Sequence, residues 1–210
     1  NNADPVLNSL TLLNGTGSGG DGGALYNAGN PILNNCTFTG NSAGSGGALK
    51  NASGSLILNE CTFTGNATAG GGGGAIVNYA LLLVNTCTLT TNSAGIFGGA
   101  IYNETGGTVN MNNSIAAGNS SVDFDNNGAL TLVGSNIVQS IFGTGSTGTT
   151  PINADPLLAP LGNYGGPTPT MPPLPGSPAI DASGAATFTT DQRGYPRSVG
   201  LGPDIGAVEG

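Results

Sequence analysis

A chain of 210 residues with 11 acidic side chains, 3 basic ones and no histidine carries a net charge of −8. The chain lacks the basic surface of a nucleic-acid-binding protein. The absence of histidine excludes histidine-based catalysis and histidine metal sites. No stretch reaches the roughly 18 consecutive apolar residues of a membrane-spanning helix, so we predict no transmembrane segment. The weakly charged composition, rich in asparagine, threonine and glycine, predicts an extracellular or cell-surface location.

Two sequence blocks recur along residues 22–119. The first reads GGALYN, GGALKN, GGAIVN and GGAIYN, and the second reads NCTFTGN, ECTFTGN, TCTLTTN and NSIAAGN. Both blocks keep a period of about 25 residues, which indicates a repeat array. Each repeat holds short β-favouring runs between Gly, Asn and Ser turns and shows no helical periodicity. The array therefore predicts an all-β fold over residues 1–150, a right-handed parallel β-helix (β-solenoid).

The residues before the first block offer no amphipathic helix to close the end of such a stack. Terminal coils of a solenoid normally need a polar or helical cap. We therefore predict that Val6, Leu10 and Leu12 form a strand that contacts a neighbouring copy, which gives end-to-end assembly into a filament. The alternative is that a domain upstream of this sequence covers the same end.

Strand alternation places residues two apart on the same side, so equivalent repeat positions stack into interior columns. One column consists of Cys36, Cys61 and Cys87. Ligands of a metal must converge on one point, whereas a column runs along an axis, so we interpret the thiols as free, buried and structural. Two further columns are corner asparagines: Asn27, Asn51, Asn78 and Asn103, and Asn41, Asn66, Asn92 and Asn119. Turn chemistry and bonding between coils explain them better than ligand binding.

The outward positions of the second block are threonines. They pair as Thr37 and Thr39, Thr62 and Thr64, and Thr88 and Thr90. Two flat threonine ladders are similar to the faces of β-solenoid antifreeze proteins, so ice binding is one alternative function. β-branched residues are also expected on any exposed parallel sheet.

The segment DFDNNG at residues 123–128 matches the opening of a calcium loop. Asp123, Asp125 and Asn127 take the first, third and fifth positions, and Gly128 supplies the turn. Gly134 occupies the twelfth position, where a calcium loop of this type has a bidentate glutamate. A polar β-turn has the same composition, so calcium is the one possible cofactor and a turn is the alternative.

The GGA block followed by the CTFTGN block resembles the right-handed parallel β-helix repeats of bacterial surface proteins, including the polymorphic outer-membrane protein type. The resemblance spans residues 8–140 and implies a β-helix at a surface. Pectate lyases and polygalacturonases also use this scaffold, but the repeats offer only Lys50, Glu60 and Glu104 in different coil positions. We assign no catalytic and no cofactor-binding residue, and polysaccharide binding or cleavage remains an alternative.

Composition changes near residue 150, because eleven of the 13 prolines lie in residues 151–210. Proline cannot donate to a strand ladder, so this Pro/Gly-rich segment predicts an irregular wrap that is fixed by ion pairs of Arg193 and Arg197 with nearby aspartates. Residues 155–209 resemble the C-terminal segment of choice-of-anchor surface proteins. The preferred function is an extracellular structural or adhesive β-helix, without enzymatic activity, whose partners are other copies, surface components or a glycan.

Overall fold

The computed structural model describes residues 4–19, 21–185 and 187–210. Within them the regular secondary structure consists of strands alone, which confirms the all-β prediction. The strands are β1 (Val6–Asn8), β2 (Thr11–Leu13), β3 (Leu25–Asn27), β4 (Ile32–Asn34), β5 (Thr37–Thr39), β6 (Ser42–Ala43), β7 (Leu49–Asn51), β8 (Ser55–Asn59), β9 (Thr62–Thr64), β10 (Ala67–Thr68), β11 (Ile76–Asn78), β12 (Leu81–Asn85), β13 (Thr88–Thr90), β14 (Ile101–Asn103), β15 (Thr108–Asn112), β16 (Ile115–Ala117), β17 (Phe124–Asn126), β18 (Ala129–Val133), β19 (Ile137–Val138), β20 (Ile141–Gly143) and β21 (Ser146–Gly148).

These strands stack into three long parallel sheets, as a β-solenoid requires. Sheet 1 contains β1, β4, β8, β12, β15, β18 and β21; sheet 2 contains β2, β5, β9, β13, β16 and β19; sheet 3 contains β3, β7, β11, β14, β17 and β20. A short fourth pair joins β6 and β10. None of the described segments forms a helix of the length and hydropathy needed to cross a membrane. The predicted parallel β-solenoid is thus confirmed.

The corner between sheet 1 and sheet 2 depends on a left-handed backbone residue in each coil. Asn35, Glu60, Thr86 and Asn113 occupy this position with φ between 46° and 56°, and Gly134 occupies it in a later coil. Non-glycine residues adopt this conformation at a cost, so the stacked coils must impose it. The sharp corner turns the chain so that side chains of both strands point into the same interior.

Stacked apolar side chains fill that interior in the predicted columns. Phe38, Phe63 and Leu89 are paired in register and fully buried. The rings of Phe38 and Phe63 lie parallel, with centroids 4.4 Å apart. On the sheet 3 side, Leu49, Ile76 and Ile101 form the predicted wall.

The C-terminal segment, residues 151–210, lies across the outer face of sheet 2. A second apolar cluster joins Ile115, Ala117 and Ile137 of the sheet to Ala179 and Ile205 of the segment. Gly206 is required at this contact, since its φ is +100° and an added Cβ would lie 2.8 Å from Ile115 Cδ1. The segment is therefore packed on the solenoid by apolar contacts as well as by ion pairs.

This arrangement corrects the prediction of exposed threonine ladders. Thr37, Thr62 and Thr88 are buried beneath the C-terminal segment. Thr37 Oγ1 donates to Pro169 O at 2.7 Å, Thr62 Oγ1 donates to Gln192 Oε1 at 2.6 Å, and Thr88 Oγ1 accepts from the Ala207 amide at 3.0 Å. The hydroxyls hold the segment and are not available to ice, so the ice-binding alternative is wrong for this face.

The structure also corrects the prediction of one N-terminal strand. Val6 lies on β1, which pairs with β4, whereas Leu12 lies on β2 and pairs with Phe38. Leu10 falls between the two strands. Leu12 packs against the core, and only Val6 and Leu10 are exposed. These residues form a coil of the solenoid rather than an arm.

Candidate ligand-binding face

Two interior asparagine ladders run along corners of the solenoid. In the first, the Nδ2 atoms of Asn27, Asn51, Asn78 and Asn103 each donate to Oδ1 of the next asparagine at 2.7 to 2.8 Å, and the last acceptor is Asn126. In the second, Asn41, Asn66 and Asn92 donate in the same way at 2.9 to 3.0 Å, and the last asparagine that accepts there is Asn119. Because each buried amide is satisfied by the next coil, these side chains are structural.

A third, outward asparagine ladder on sheet 1 was not predicted from the sequence. Asn34 Nδ2 donates to Asn8 Oδ1, Asn59 Nδ2 to Asn34 Oδ1, and Asn85 Nδ2 to Asn59 Oδ1, at 2.8 to 2.9 Å. The repeated asparagine at the end of each sheet 1 strand was visible in the sequence as a column of its own. It ties neighbouring coils together on a face that remains partly exposed.

The predicted calcium residues Asp123, Asp125 and Asn127 lie on and beside β17, and calcium binding there stays a prediction. Asp123 ends the second asparagine ladder, where Oδ1 accepts from Asn119 Nδ2 at 2.9 Å and Oδ2 accepts from the Ser140 amide at 2.9 Å. Asp125 points outward beside Asn127, whose Nδ2 lies 3.4 Å from Asp125 Oδ1. Among the described residues, no three Cys, Asp or Glu side chains are grouped to hold a metal ion. Phe124, Asp125 and Asn126 pair in register with Ile101, Tyr102 and Asn103 of the GGAIYN block.

The three cysteines are free and buried, and they form a hydrogen-bonded column. Cys61 Sγ accepts from the Cys36 amide and Cys87 Sγ accepts from the Cys61 amide, both at 3.4 Å. Ser114 Oγ accepts from the Cys87 amide at 2.9 Å in the next coil. The hydrogen bond between thiols and burial raise the pKa of Cys36 well above its usual range, and burial raises that of Cys61. Thiols held protonated in this way are poor nucleophiles and poor metal ligands.

The arginine clamp, formed by Arg193, Arg197, Glu60, Asp191 and Glu209, fixes the C-terminal segment to the solenoid. Arg193 Nε and Nη2 donate to Asp191 Oδ2 at 2.9 and 2.7 Å. Arg197 Nε donates to Glu60 Oε1 at 3.3 Å, and its Nη1 lies 3.8 Å from Glu209 Oε2. Both arginines were predicted to pair with aspartates, and the partner Glu60, which lies 137 positions from Arg197, was not predicted.

Burial dominates the electrostatics of the clamp. It raises the pKa of Glu60 to about 7 although Arg197 opposes the shift, and it also raises the pKa values of Asp204 and Glu209. The three carboxyl groups are almost fully buried. Buried carboxylates that outnumber the guanidinium groups near them hold protons more tightly than exposed ones.

We expect the protein to be more stable at pH 5 than at pH 8. The folded state binds a proton at Glu60 up to about pH 7, whereas the unfolded chain releases it near 4.5. The free energy of unfolding therefore falls as the pH rises through this window. Urea unfolding at pH 5, 6, 7 and 8 measures the effect, and Glu60→Gln should flatten the profile. An equally steep profile in that variant would show that Glu60 is not the group responsible.

The outer side of sheet 3 carries a second set of aromatic and charged side chains. The middle residue of each strand points outward, which gives a column in consecutive coils: Tyr26, Lys50, Val77, Tyr102, Asp125 and Phe142. Tyr79 and Phe97 flank this column. We name Tyr26, Tyr79, Phe97, Tyr102 and Phe142 the aromatic face. Tyr26 and Phe142 are 51% and 63% exposed, although rings of this size bury well elsewhere in the chain.

Lys50 lies between two rings of the aromatic face. Its Nζ is 5.7 Å from the ring centroids of both Tyr26 and Tyr79, within the range of a cation–π interaction. The same Nζ lies 3.3 Å from Asp21 Oδ1. Further along the axis, the rings of Phe97 and Tyr102 stack with centroids 5.0 Å apart. The side chains thus hold the rings in fixed positions along the sheet.

Acidic groups lie beside the rings at this end of the face. Burial raises the pKa values of Tyr79, Tyr102 and Asp125, and the negative charge of Glu104 raises all three further. Asn127 Nδ2 lies 3.4 Å from Tyr102 Oη. Glu104 was noted in the sequence as an isolated carboxylate; the coil spacing brings it close to Asp125 and two tyrosines. The arrangement combines exposed rings (Tyr26, Tyr79, Phe97 and Phe142) with hydrogen-bonding groups, while Val77 and Asp125 of the same column are buried between their neighbours.

Comparison with known protein families matches residues 35–52 to the Chlamydia polymorphic membrane protein repeat. No match was found among curated proteins or among solved structures. The matched residues hold one CTFTGN block and one GGALKN block, in agreement with the repeat resemblance. That family is one of surface proteins, so the match supports a surface protein in general terms. It covers no part of the C-terminal segment, whose resemblance to choice-of-anchor segments remains a prediction.

Proposed function

We propose that this chain is an extracellular adhesive module, a rigid β-solenoid that presents the aromatic face to a binding partner. The observation that carries the proposal is that the outer sides of the sheets differ in what covers them. Sheet 2 is covered by the C-terminal segment, while sheet 3 keeps five aromatic side chains on its outer side. Exposed aromatic rings at fixed positions are typical of binding surfaces.

The proposed role is non-catalytic. Glu60 is bonded to Arg197, and Asp123 is bonded to Ser140 and Asn119, so both carboxylates are used in the structure. Glu104 and Asp125 lie near each other on the outer side of sheet 3. Hydrolysis of a glycosidic bond needs carboxylates on opposite sides of that bond, and a single flat face favours binding over cleavage.

Adhesion of protein-coated beads to intact bacterial and epithelial cells tests this function. We expect the double variant Tyr26→Ser/Tyr102→Ser to lose most of the adhesion, because two of the three rings of the outward column are removed. The matched control is Tyr164→Ser/Tyr195→Ser, which removes two exposed tyrosines of the C-terminal segment and should leave adhesion unchanged. Equal adhesion by the two folded variants, or no adhesion by the native protein, would contradict the proposal.

End-to-end association is a second proposal, supported by the far end of the solenoid. There β20 and β21 are the last strands of sheets 3 and 1, and the chain then returns to sheet 2, where Ile152 bridges to Ile137. Among the described residues, their outer edges carry no paired strand, and a cavity of about 210 Å³ lined by Leu132 and Ile141 opens beside them. Unpaired edges invite strand addition. Sedimentation velocity should show mass rising with concentration, and Thr147→Pro on β21 should suppress it; a monomer at all concentrations contradicts this proposal.

A further inference from the structure

We infer that the aromatic face binds a neutral, unbranched polysaccharide that lies along the solenoid axis. This inference rests on the proposed adhesive function and names the chemical class of its ligand. It is carried by three features of the face: the spacing of its rings, a buried carboxylate without a full set of hydrogen bonds, and the sign of the local charge.

The rings are spaced by the coil repeat. Parallel strands lie about 4.8 Å apart, so Tyr26 and Tyr102, three coils apart, are separated by roughly 14 Å along the axis. Phe142 follows two coils later. One coil is close to the length of one pyranose unit in a β-1,4-linked chain. An extended polymer therefore meets a ring at intervals of whole sugar units, and the apolar faces of the sugars stack on the rings.

Asp125 supplies the second feature. Its side chain points outward because Phe124 and Asn126, on either side of it, point into the solenoid. It is only 4% exposed, yet among the described residues its carboxylate accepts one hydrogen bond, the long contact of 3.4 Å from Asn127. A carboxylate accepts several hydrogen bonds when its partners are available. Hydroxyl groups of a bound sugar would supply the missing donors.

The charge of the face selects among polysaccharides. Asp21, Glu104 and Asp125 lie there with Lys50 as the one nearby cation in the described part of the chain, and Lys50 is already paired with Asp21. The whole chain carries −8. Polymers of uronic acids or sulfated sugars are repelled by such a surface. Neutral chains of glucose or N-acetylglucosamine are not repelled, and their hydroxyl groups can donate hydrogen bonds to the carboxylates of this face.

Pull-down on insoluble cellulose and chitin, with native gels containing polygalacturonate, tests the inference. We expect the native protein to bind cellulose or chitin and to pass the acidic gel without retardation. Tyr26→Ser/Tyr102→Ser should weaken binding by at least about tenfold, which corresponds to about 1.4 kcal/mol. Asp125→Ala should weaken it several-fold, and Tyr164→Ser/Tyr195→Ser should not. Thermal melts of each variant test whether the fold is retained.

The outcomes separate this inference from the adhesive function on which it rests. Adhesion to cells that depends on Tyr26 and Tyr102, without binding to either neutral polymer, would overturn the glycan assignment and leave the adhesive function standing. Absence of both cell adhesion and polymer binding in the native protein would overturn the adhesive function and the glycan assignment together. Retardation by polygalacturonate would show that the ligand is acidic, and equal binding by the tyrosine variant would place the glycan elsewhere; either result contradicts the inference.

Discussion

Replacing Phe63 with alanine is expected to lower the free energy of unfolding by about 3 to 5 kcal/mol. The ring is fully buried, stacks on Phe38 at 4.4 Å, and is paired in register with Leu89 on its other side. Its removal leaves a cavity in the middle of a narrow core, and neighbouring coils cannot close it without losing their register. Urea unfolding followed by circular dichroism measures the change.

Phe142→Ala is the matched control, because the same ring is removed from the outer side of sheet 3. Phe142 is largely exposed, so the free energy of unfolding should change by no more than about 0.5 kcal/mol. Similar losses in the two variants would show that the inward and outward assignments of the columns are incorrect.

At pH 8, where Glu60 is ionised, Arg197→Met is expected to cost about 3 to 5 kcal/mol of stability, because it leaves buried charges without a partner. Arg197 is 1% exposed, and its guanidinium group donates to Glu60 Oε1, to Asp204 O at 3.1 Å and to Gly206 O at 2.6 Å. Without it these acceptors remain buried and unsatisfied. The C-terminal segment should then detach more readily, which limited proteolysis followed by mass spectrometry detects as faster cleavage within residues 151–210.

Combining Arg197→Met with Glu60→Gln tests whether the two residues act as a pair. The double variant should be more stable than the sum of the single effects predicts, since neutralising Glu60 removes one of the unpaired charges. Strict additivity, or a native rate of cleavage in Arg197→Met, would show that the arginine clamp does not hold the segment.

The solenoid itself was predictable because its information is local and repeated. Alternation within SLIL and CTFT places Leu58, Cys61 and Phe63 inside, and the 25-residue period stacks each of them on the next coil. The divergent block at residues 123–128 was harder to interpret. Asn126 continues the first asparagine ladder 23 positions after Asn103, but the acidic residues around it match a calcium loop more closely than the repeat.

Contacts between distant parts of the chain were not predictable from local pattern. Gln192 reaches Thr37 and Thr62 across 155 and 130 positions, and no periodicity links an irregular proline-rich segment to the sheet it covers. The threonine column therefore looked exposed in the sequence. The aromatic face was missed for a related reason: Tyr26, Tyr102 and Phe142 stand at one repeat position that also holds Lys50, Val77 and Asp125, so composition alone shows no column.

Hydroxyl-radical footprinting of the tyrosines with and without soluble cellohexaose or chitohexaose tests the central claim, that the aromatic face is the binding surface for a neutral glycan chain. The chain supplies its own controls, since Tyr164 and Tyr195 of the C-terminal segment are 39% and 48% exposed. We predict that the oligosaccharide protects Tyr26, Tyr79 and Tyr102 from oxidation and leaves Tyr164 and Tyr195 unchanged. Unchanged oxidation of all five, or protection confined to Tyr164 and Tyr195, would contradict the claim.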